Sequence, residues 1–115
     1  IGLTVSDDGN YVYTVNDADD NFIVIDVSNP AAPVTTGTTG TDADLNFCYS
    51  LATKGNYAYA HCAGAVVVVD VSNPAAPTIV EEFVNANISG TYSDIVLNGN
   101  YLYASAWQND RLNII

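Results

Sequence analysis

Three carboxylates and an amide crowd one short stretch, Asp17-Ala18-Asp19-Asp20-Asn21. Within it, Asp17-x-Asp19-x-Asn21 alternates oxygen donors in the way a loop wraps a hard cation such as Ca2+. The stretch departs from the EF-hand pattern. Phe22 stands where the turn glycine belongs, and no Glu follows at the distal ligand position. The competing explanation is a solvated hairpin tip. Asp17, Asp19 and Asn21 are therefore a calcium candidate, and no other cofactor is expected.

Cys48, Cys62 and the lone His61 offer redox, nucleophilic or zinc chemistry. A three-residue turn at 54–56 would pair Thr53 with Tyr57 and set Cys48 opposite Cys62, which suits a disulfide. A two-residue turn would shift the pairing by one and remove the direct match, leaving two buried thiols. Neighbours on a strand point to opposite faces, so His61 and Cys62 diverge. That opposes both a Cys/His dyad and a zinc site. Trp107 is the only Trp, and with Asn109 and Asp110 it lies in a turn where a ring could stack on a sugar or a partner. Ser50, Thr53, Ser93 and Asp94 are the main polar groups expected on inner strands, and Asp94 is the best single candidate for an enzymatic carboxylate. Asn87-Ile88-Ser89 is a glycosylation sequon that acts only in a glycosylating host.

Charge narrows the partners. Thirteen acids face two bases, Lys54 and Arg111, for a net charge of −11. Nucleic acid and anionic headgroups need clustered Lys and Arg, so both are excluded as partners. With 49% apolar residues the chain can build a core. No apolar run approaches the length of a membrane-spanning helix.

Two repeated phrases position these groups. Gly-Asn-Tyr-x-Tyr begins at Gly9, Gly55 and Gly99, which stand 46 and 44 residues apart. A hydrophobic run closed by Asp-Val-Ser-Asn-Pro-Ala-Ala-Pro ends at Pro33 and again at Pro77. A repeat of 40 to 50 residues made of short strands and turns predicts β-propeller blades, each a four-stranded antiparallel sheet. Blade one spans about 1–38, with strands near 2–6, 11–16, 22–27 and 33–38. Blade two spans about 47–84, with strands near 47–53, 57–62, 65–71 and 78–84. An incomplete blade three spans about 92–115, with strands near 92–97, 101–106 and 111–115. No stretch carries a helical apolar period. Both ends fall inside a strand pattern, so the all-β chain reads as a fragment of about two and a half blades, one partial propeller domain.

The runs Phe22-Ile23-Val24-Ile25 and Ala65-Val66-Val67-Val68-Val69 are apolar at both parities, which predicts strands covered on both faces. In the Tyr strands one parity is large (Tyr57, Tyr59) and the other small (Ala58, Ala60), as interdigitating blades require. Gly-Asn should form a tight hairpin. The Asp before Val-Ser should bond nearby backbone, and each Pro should end its ladder. Glu81-Glu82 should protect an exposed edge.

These phrases resemble the LVIVD repeat family of bacterial and archaeal β-propellers. The likeness rests on Phe22-Ile23-Val24-Ile25-Asp26-Val27-Ser28-Asn29-Pro30, on Val66-Val67-Val68-Val69-Asp70-Val71-Ser72-Asn73-Pro74 and on the preceding Gly-Asn-Tyr-x-Tyr segments. Val5-Ser6-Asp7-Asp8-Gly9-Asn10-Tyr11-Val12-Tyr13 is also similar to YVTN-type surface propellers. The resemblance implies a secreted, cell-surface or periplasmic location in a prokaryote, and it implies no catalytic residue.

Alternating strands put the one–two and three–four turns on one face, where the sequence repeats almost unchanged. The two–three turns and the crossovers, 38–46 and 85–90, share the other face, and they differ from blade to blade. Blade-specific loops are where recognition sits. Asp17, Asp19, Asp20, Asp42, Asp44, Trp107, Asn109 and Asp110 fall there. The expectation is a non-enzymatic surface module that binds a protein or glycan through this acidic face. The alternative is part of a propeller enzyme, of hydrolase, lactonase or redox-cofactor type, with chemistry in a central channel. Uncovered blade faces predict further blades or self-association.

Overall fold

The computed structural model describes residues 2–84, 94–106 and 111–115. They form three antiparallel sheets, as the repeats require. Blade one holds β1 (Leu3–Val5), β2 (Tyr11–Asn16), β3 (Asn21–Asp26) and β4 (Val34–Thr38) in that order. Blade two repeats the order with β5 (Ser50–Lys54), β6 (Tyr57–Cys62), β7 (Ala65–Asp70) and β8 (Thr78–Val84). Blade three holds β9 (Ile95–Asn98), β10 (Tyr101–Ala106) and β11 (Arg111–Ile114). The first strands of successive blades lie side by side. A Cβ built on Gly2 would stand 3.0 Å from Ser50 Cα, so β1 and β5 meet at their backbones.

Local chemistry explains the turns. Lys54 pairs with Tyr57 and Asn98 with Tyr101, so Gly-Asn is a two-residue hairpin in blades two and three. Its glycine takes φ near +60 (Gly55 59°, Gly99 60°), the primed-turn geometry that matches strand twist. Blade one differs. Its ladder closes at Ser6 and Tyr11, and Asp8 Oδ1 accepts from Ser6 Oγ and Asn10 N across a four-residue loop. The two proline turns are alike. Asp26 accepts from Ser28 N at 2.8 Å and Asp70 from Ser72 N at 2.8 Å. Asn29 and Asn73 then accept from Ala31 N and Ala75 N.

The seams show why the Tyr strands alternate large and small. Tyr13, Val15, Phe22 and Val24 of blade one pack on Ala58, Ala60, Val67 and Val69 of blade two. Val66 and Tyr59, on blade two's opposite face, pack on Ile95, Leu102 and Ala104 of blade three. Large side chains of one blade thus fill the space left by small ones of the next. All five residues from Ala65 to Val69 are buried, as the double-parity run predicts. The matching run in blade one alternates buried Phe22 and Val24 with half-exposed Ile23 and Ile25. Both faces were expected to be covered. Within this chain blade one has a neighbour on one side only, so only one parity is.

The structure corrects the cysteine register. The turn between β5 and β6 is two residues long, which by itself removes the Cys48–Cys62 match. The ladder then slips. Ser50 pairs with His61, and Tyr49 N also donates to His61 O at 2.8 Å, so two residues answer one. This bulge restores Cys48 opposite Cys62, and the two are joined by a disulfide. His61 is fully buried and pairs with Ser50. The strand expected from 47 starts only at Ser50, because Ala43–Leu45 form a 3-10 turn in a chain expected to lack helix.

Candidate functional site

The candidate site lies on the turn between β2 and β3 and the crossover between β4 and β5. Asn16 and Asn21 close the ladder, which leaves 17–20 as the turn. Asn16 organises it: its Nδ2 donates to Asp19 Oδ2 at 2.9 Å, and its Oδ1 accepts from Ala18 N at 3.0 Å. Asp20 takes φ +48, a left-handed position that Asp tolerates better than most residues. Its Oδ1 is buried and accepts no hydrogen bond, and neither does Asn21 Oδ1.

The crossover is anchored from below. Leu45 is fully buried in the core shared by blades one and two. Asp42 starts the 3-10 turn, its side chain accepting from Asp44 N at 3.0 Å. Asn46 O accepts from Ala63 N in the turn between β6 and β7. Two residues later the Cys48–Cys62 disulfide ties the strand entry to the end of β6. The two loops then meet, because Asp42 N donates to Asp20 O at 2.8 Å. The turn that carries Asp17, Asp19 and Asp20 and the crossover that carries Asp42 and Asp44 are thereby in contact. Trp107, Asn109 and Asp110 lie outside the described residues, as do Ser93 and the sequon at 87–89.

One residue on this crossover escaped sequence reasoning. Phe47 has φ +49 and is 54% exposed, a bulky side chain held in left-handed backbone and turned to solvent. Such strain concentrates at binding sites. In the sequence Phe47 looks like the first residue of a strand, and no pattern marks it otherwise.

Asp94 is committed to the seam. Its carboxylate accepts from Ser50 Oγ and from Ile95 N, and Asp94 N donates to Ser105 Oγ at 2.9 Å. The pair links the inner strands of blades two and three. Thr53 is likewise occupied, donating to Tyr57 O. Among the described residues no three His, Cys, Asp or Glu side chains gather as a metal-binding group, and no helix is long and apolar enough to cross a membrane.

The opposite face carries clips instead. Asp7 Oδ2 accepts from Gly55 N at 2.7 Å, and Lys54 Nζ donates to Gly99 O. Between blades one and two a cleft of about 260 Å3 lies beside Tyr11, Tyr13, Val71 and Pro74. Between blades two and three the cleft is about 460 Å3, walled by Tyr57, Tyr59, Phe83 and Leu97.

The model of the LVIVD repeat matches residues 3–41, 48–84 and 89–115. The chain belongs to the LVIVD repeat family. Each match covers one of the three sheets, so one LVIVD repeat is one blade. The chain is also similar to the crystal structure of a functionally unknown protein from Desulfotomaculum acetoxidans DSM 771, with a TM-score of 0.78 at 16% identity. That superposition covers 98% of this chain and 38% of the other, and it speaks for the fold alone. No curated protein matches the chain.

Proposed function

We propose that this LVIVD-repeat chain is a non-enzymatic binding module, acting outside the cytoplasm, whose acidic loop face takes a protein or glycan partner. The observation that carries it is the hydrogen bond from Asp42 N to Asp20 O, which joins two blade-specific loops into one surface. Phe47, an exposed aromatic ring, lies on the same crossover as Asp42 and Asp44. Carboxylates accept from sugar hydroxyls or basic side chains, while the ring stacks on a sugar face or an apolar contact. The disulfide supports an oxidising compartment. It also holds the crossover still, which reduces the ordering cost of binding.

A calcium ion at Asp17, Asp19 and Asn21 belongs to the same proposal. The buried, unbonded Asn21 Oδ1 supports it, while Asp19 Oδ2 is already engaged by Asn16. Ca2+ at ten times its Kd would stabilise the fold by about 1.4 kcal/mol, seen as a raised Tm. An unchanged Tm in millimolar Ca2+ removes the ion.

The partner test uses immobilised poly-L-lysine and a glycan array as probes. The triple variant Asp42→Asn, Asp44→Asn, Phe47→Ser should bind at least tenfold more weakly than the parent. Glu81→Gln with Glu82→Gln makes the same charge change on β8 and should bind as the parent does. If both variants lose binding equally, only net charge is being read and the loop site is wrong.

A further inference from the structure

The Gly-Asn turns repeat from blade to blade with one departure. In blades two and three Gly-Asn alone joins the first two strands, whereas blade one inserts Asp7 and Asp8 ahead of it. The insertion falls at the seam with blade two, beside the cleft of about 260 Å3, and both acids line that cleft. The blades on either side of it each carry all four strands.

The fold uses only one oxygen of each carboxylate. Asp7 Oδ2 accepts from Gly55 N at 2.7 Å, which clips blade one to blade two. Asp8 Oδ1 accepts from Ser6 Oγ and Asn10 N, bonds that shape the loop and hold the Asp8 carboxyl below its ordinary value of 3.8. Both acids act on the Tyr13 ring beneath them. Burial lifts the Tyr13 phenol above its ordinary value of 10.0, and the charges of Asp8, Tyr11 and Asp7 lift it further. Among the described residues that line the cleft none is Lys or Arg. Lys54, which precedes the Gly55 turn, is spent on Gly99 O at the next seam.

Unanswered negative charge in a crevice with low-dielectric walls draws cations. The walls decide which kind. A hard divalent ion takes about six oxygens or more, and Tyr rings, Val71 and Pro74 supply a poor shell for it. An organic cation uses both halves of the cleft. Its ammonium meets the carboxylates, and its apolar stem lies on the rings and the aliphatic wall. The volume is below that of a pocket for a drug-sized ligand, which limits the stem to a short chain.

We propose that the cleft between blades one and two binds a short alkylammonium group, the ammonium held by Asp7 and Asp8 and the alkyl stem lying on Tyr11, Val71 and Pro74. This site shares no residue with the loops of the function proposed above, so the two readings stand or fall separately.

The test is titration of the 15N-labelled intact chain with n-butylammonium chloride, followed at the Gly55 and Asn56 amides. Both residues line the cleft, and the Gly55 amide is bonded to Asp7. The two amides should shift saturably, with half-saturation in the millimolar range. Sodium chloride at the same ionic strength and neutral n-butanol should not reproduce the shift. Asp7→Asn with Asp8→Asn should bind about fivefold more weakly or worse. Glu81→Gln with Glu82→Gln removes as much charge from β8 and should bind as the parent does. Circular dichroism checks that the variants fold. Should the first pair fail to fold, Tyr11→Leu keeps both acids, removes the ring and should also weaken binding. Nα-acetyl-lysine amide separates the sources of the cation. Binding as tight as that of butylammonium supports a partner's lysine side chain as the ligand, and weaker binding supports a free amine. An absence of saturable shifts overturns the proposal. So does an equal response to sodium chloride, which would mean a counterion only, or to butanol, which would mean an apolar cleft only. Undiminished binding by the first pair, or by Tyr11→Leu in its place, also overturns it.

Discussion

Substituting Gly37 by Ala tests the seam between blades one and two at its tightest point. Gly37 sits in β4 with its backbone against the proline turn of blade two. A Cβ added there would fall inside the van der Waals shell of Pro74 O, 2.9 Å from Pro77 Cδ and 3.0 Å from the Ala75 carbonyl carbon. Two of these atoms are backbone, so no side-chain rotation relieves the overlap. The turn is itself pinned, by Ser72 N to Asp70, Ala75 N to Asn73 and Val71 N to Asn56 O. The blades must then part. Overpacking of this kind costs about 1–3 kcal/mol. For a domain of this size that lowers Tm on the order of 5–10 °C. The repeat supplies its own control. Val24 pairs with Gly37, and in the next blade Val68 pairs with Glu81. Glu81 already carries a Cβ and is exposed, so Glu81→Ala should change stability by under about 0.5 kcal/mol. The assay is urea unfolding followed by intrinsic fluorescence and circular dichroism. A Gly37→Ala chain as stable as the parent would mean that the turn does not rest on β4, and the seam described above would be wrong.

Two further outcomes follow from the same geometry. Reducing the Cys48–Cys62 disulfide, which closes a loop at a sequence separation of 14, should cost about 3 kcal/mol, read as a lower urea midpoint in reductant that Cys48→Ser reproduces. Equal midpoints with and without reductant would contradict the bond. Asp26 and Asp70 are held below the ordinary value of 3.8 by hydrogen bonds from the Ser28 and Ser72 side chains and then their backbone amides. A depressed folded pKa contributes stability that is present above the unfolded value and lost as pH falls through the folded one. The Ser28→Ala, Ser72→Ala double variant should thus melt below the parent at neutral pH, and the gap should close in acid, below about pH 4. A gap of constant size across that range would assign the effect to something other than these carboxylates.

Much of the architecture was legible because it rests on local chemistry that recurs. Gly-Asn marks the hairpins in every copy, although blade one spends two more residues on its loop, where Asp8 gathers Ser6 and Asn10. Asp-Val-Ser-Asn-Pro marks the other turn through side-chain to backbone bonds spanning two residues. The large and small parities of the Tyr strands foretold how the blades interlock. The contact between the two loops was half legible. Alternating strand direction put Asp20 and Asp42 on one side of the sheet, but nothing in the sequence said that their backbones touch. Phe47 was invisible for a physical reason: an aromatic before a β-rich run looks like strand, and its positive φ follows from the 3-10 turn that Leu45 anchors.

The sequence by itself determined the number and order of strands and the turn chemistry, since each depends on residues a few positions apart. Tertiary structure alone decided the rest. A bulge at Tyr49 and Ser50 brought Cys48 to Cys62 after the two-residue turn had separated them, because the crossover packs through Leu45 and fixes where β5 begins. The same packing decided which parity of blade one is covered, since Ile23 and Ile25 are as apolar as Phe22 and Val24 and only a neighbouring blade distinguishes them. It also took Asp94 for the seam, because Ser50 of the adjacent blade lies within reach of its carboxylate.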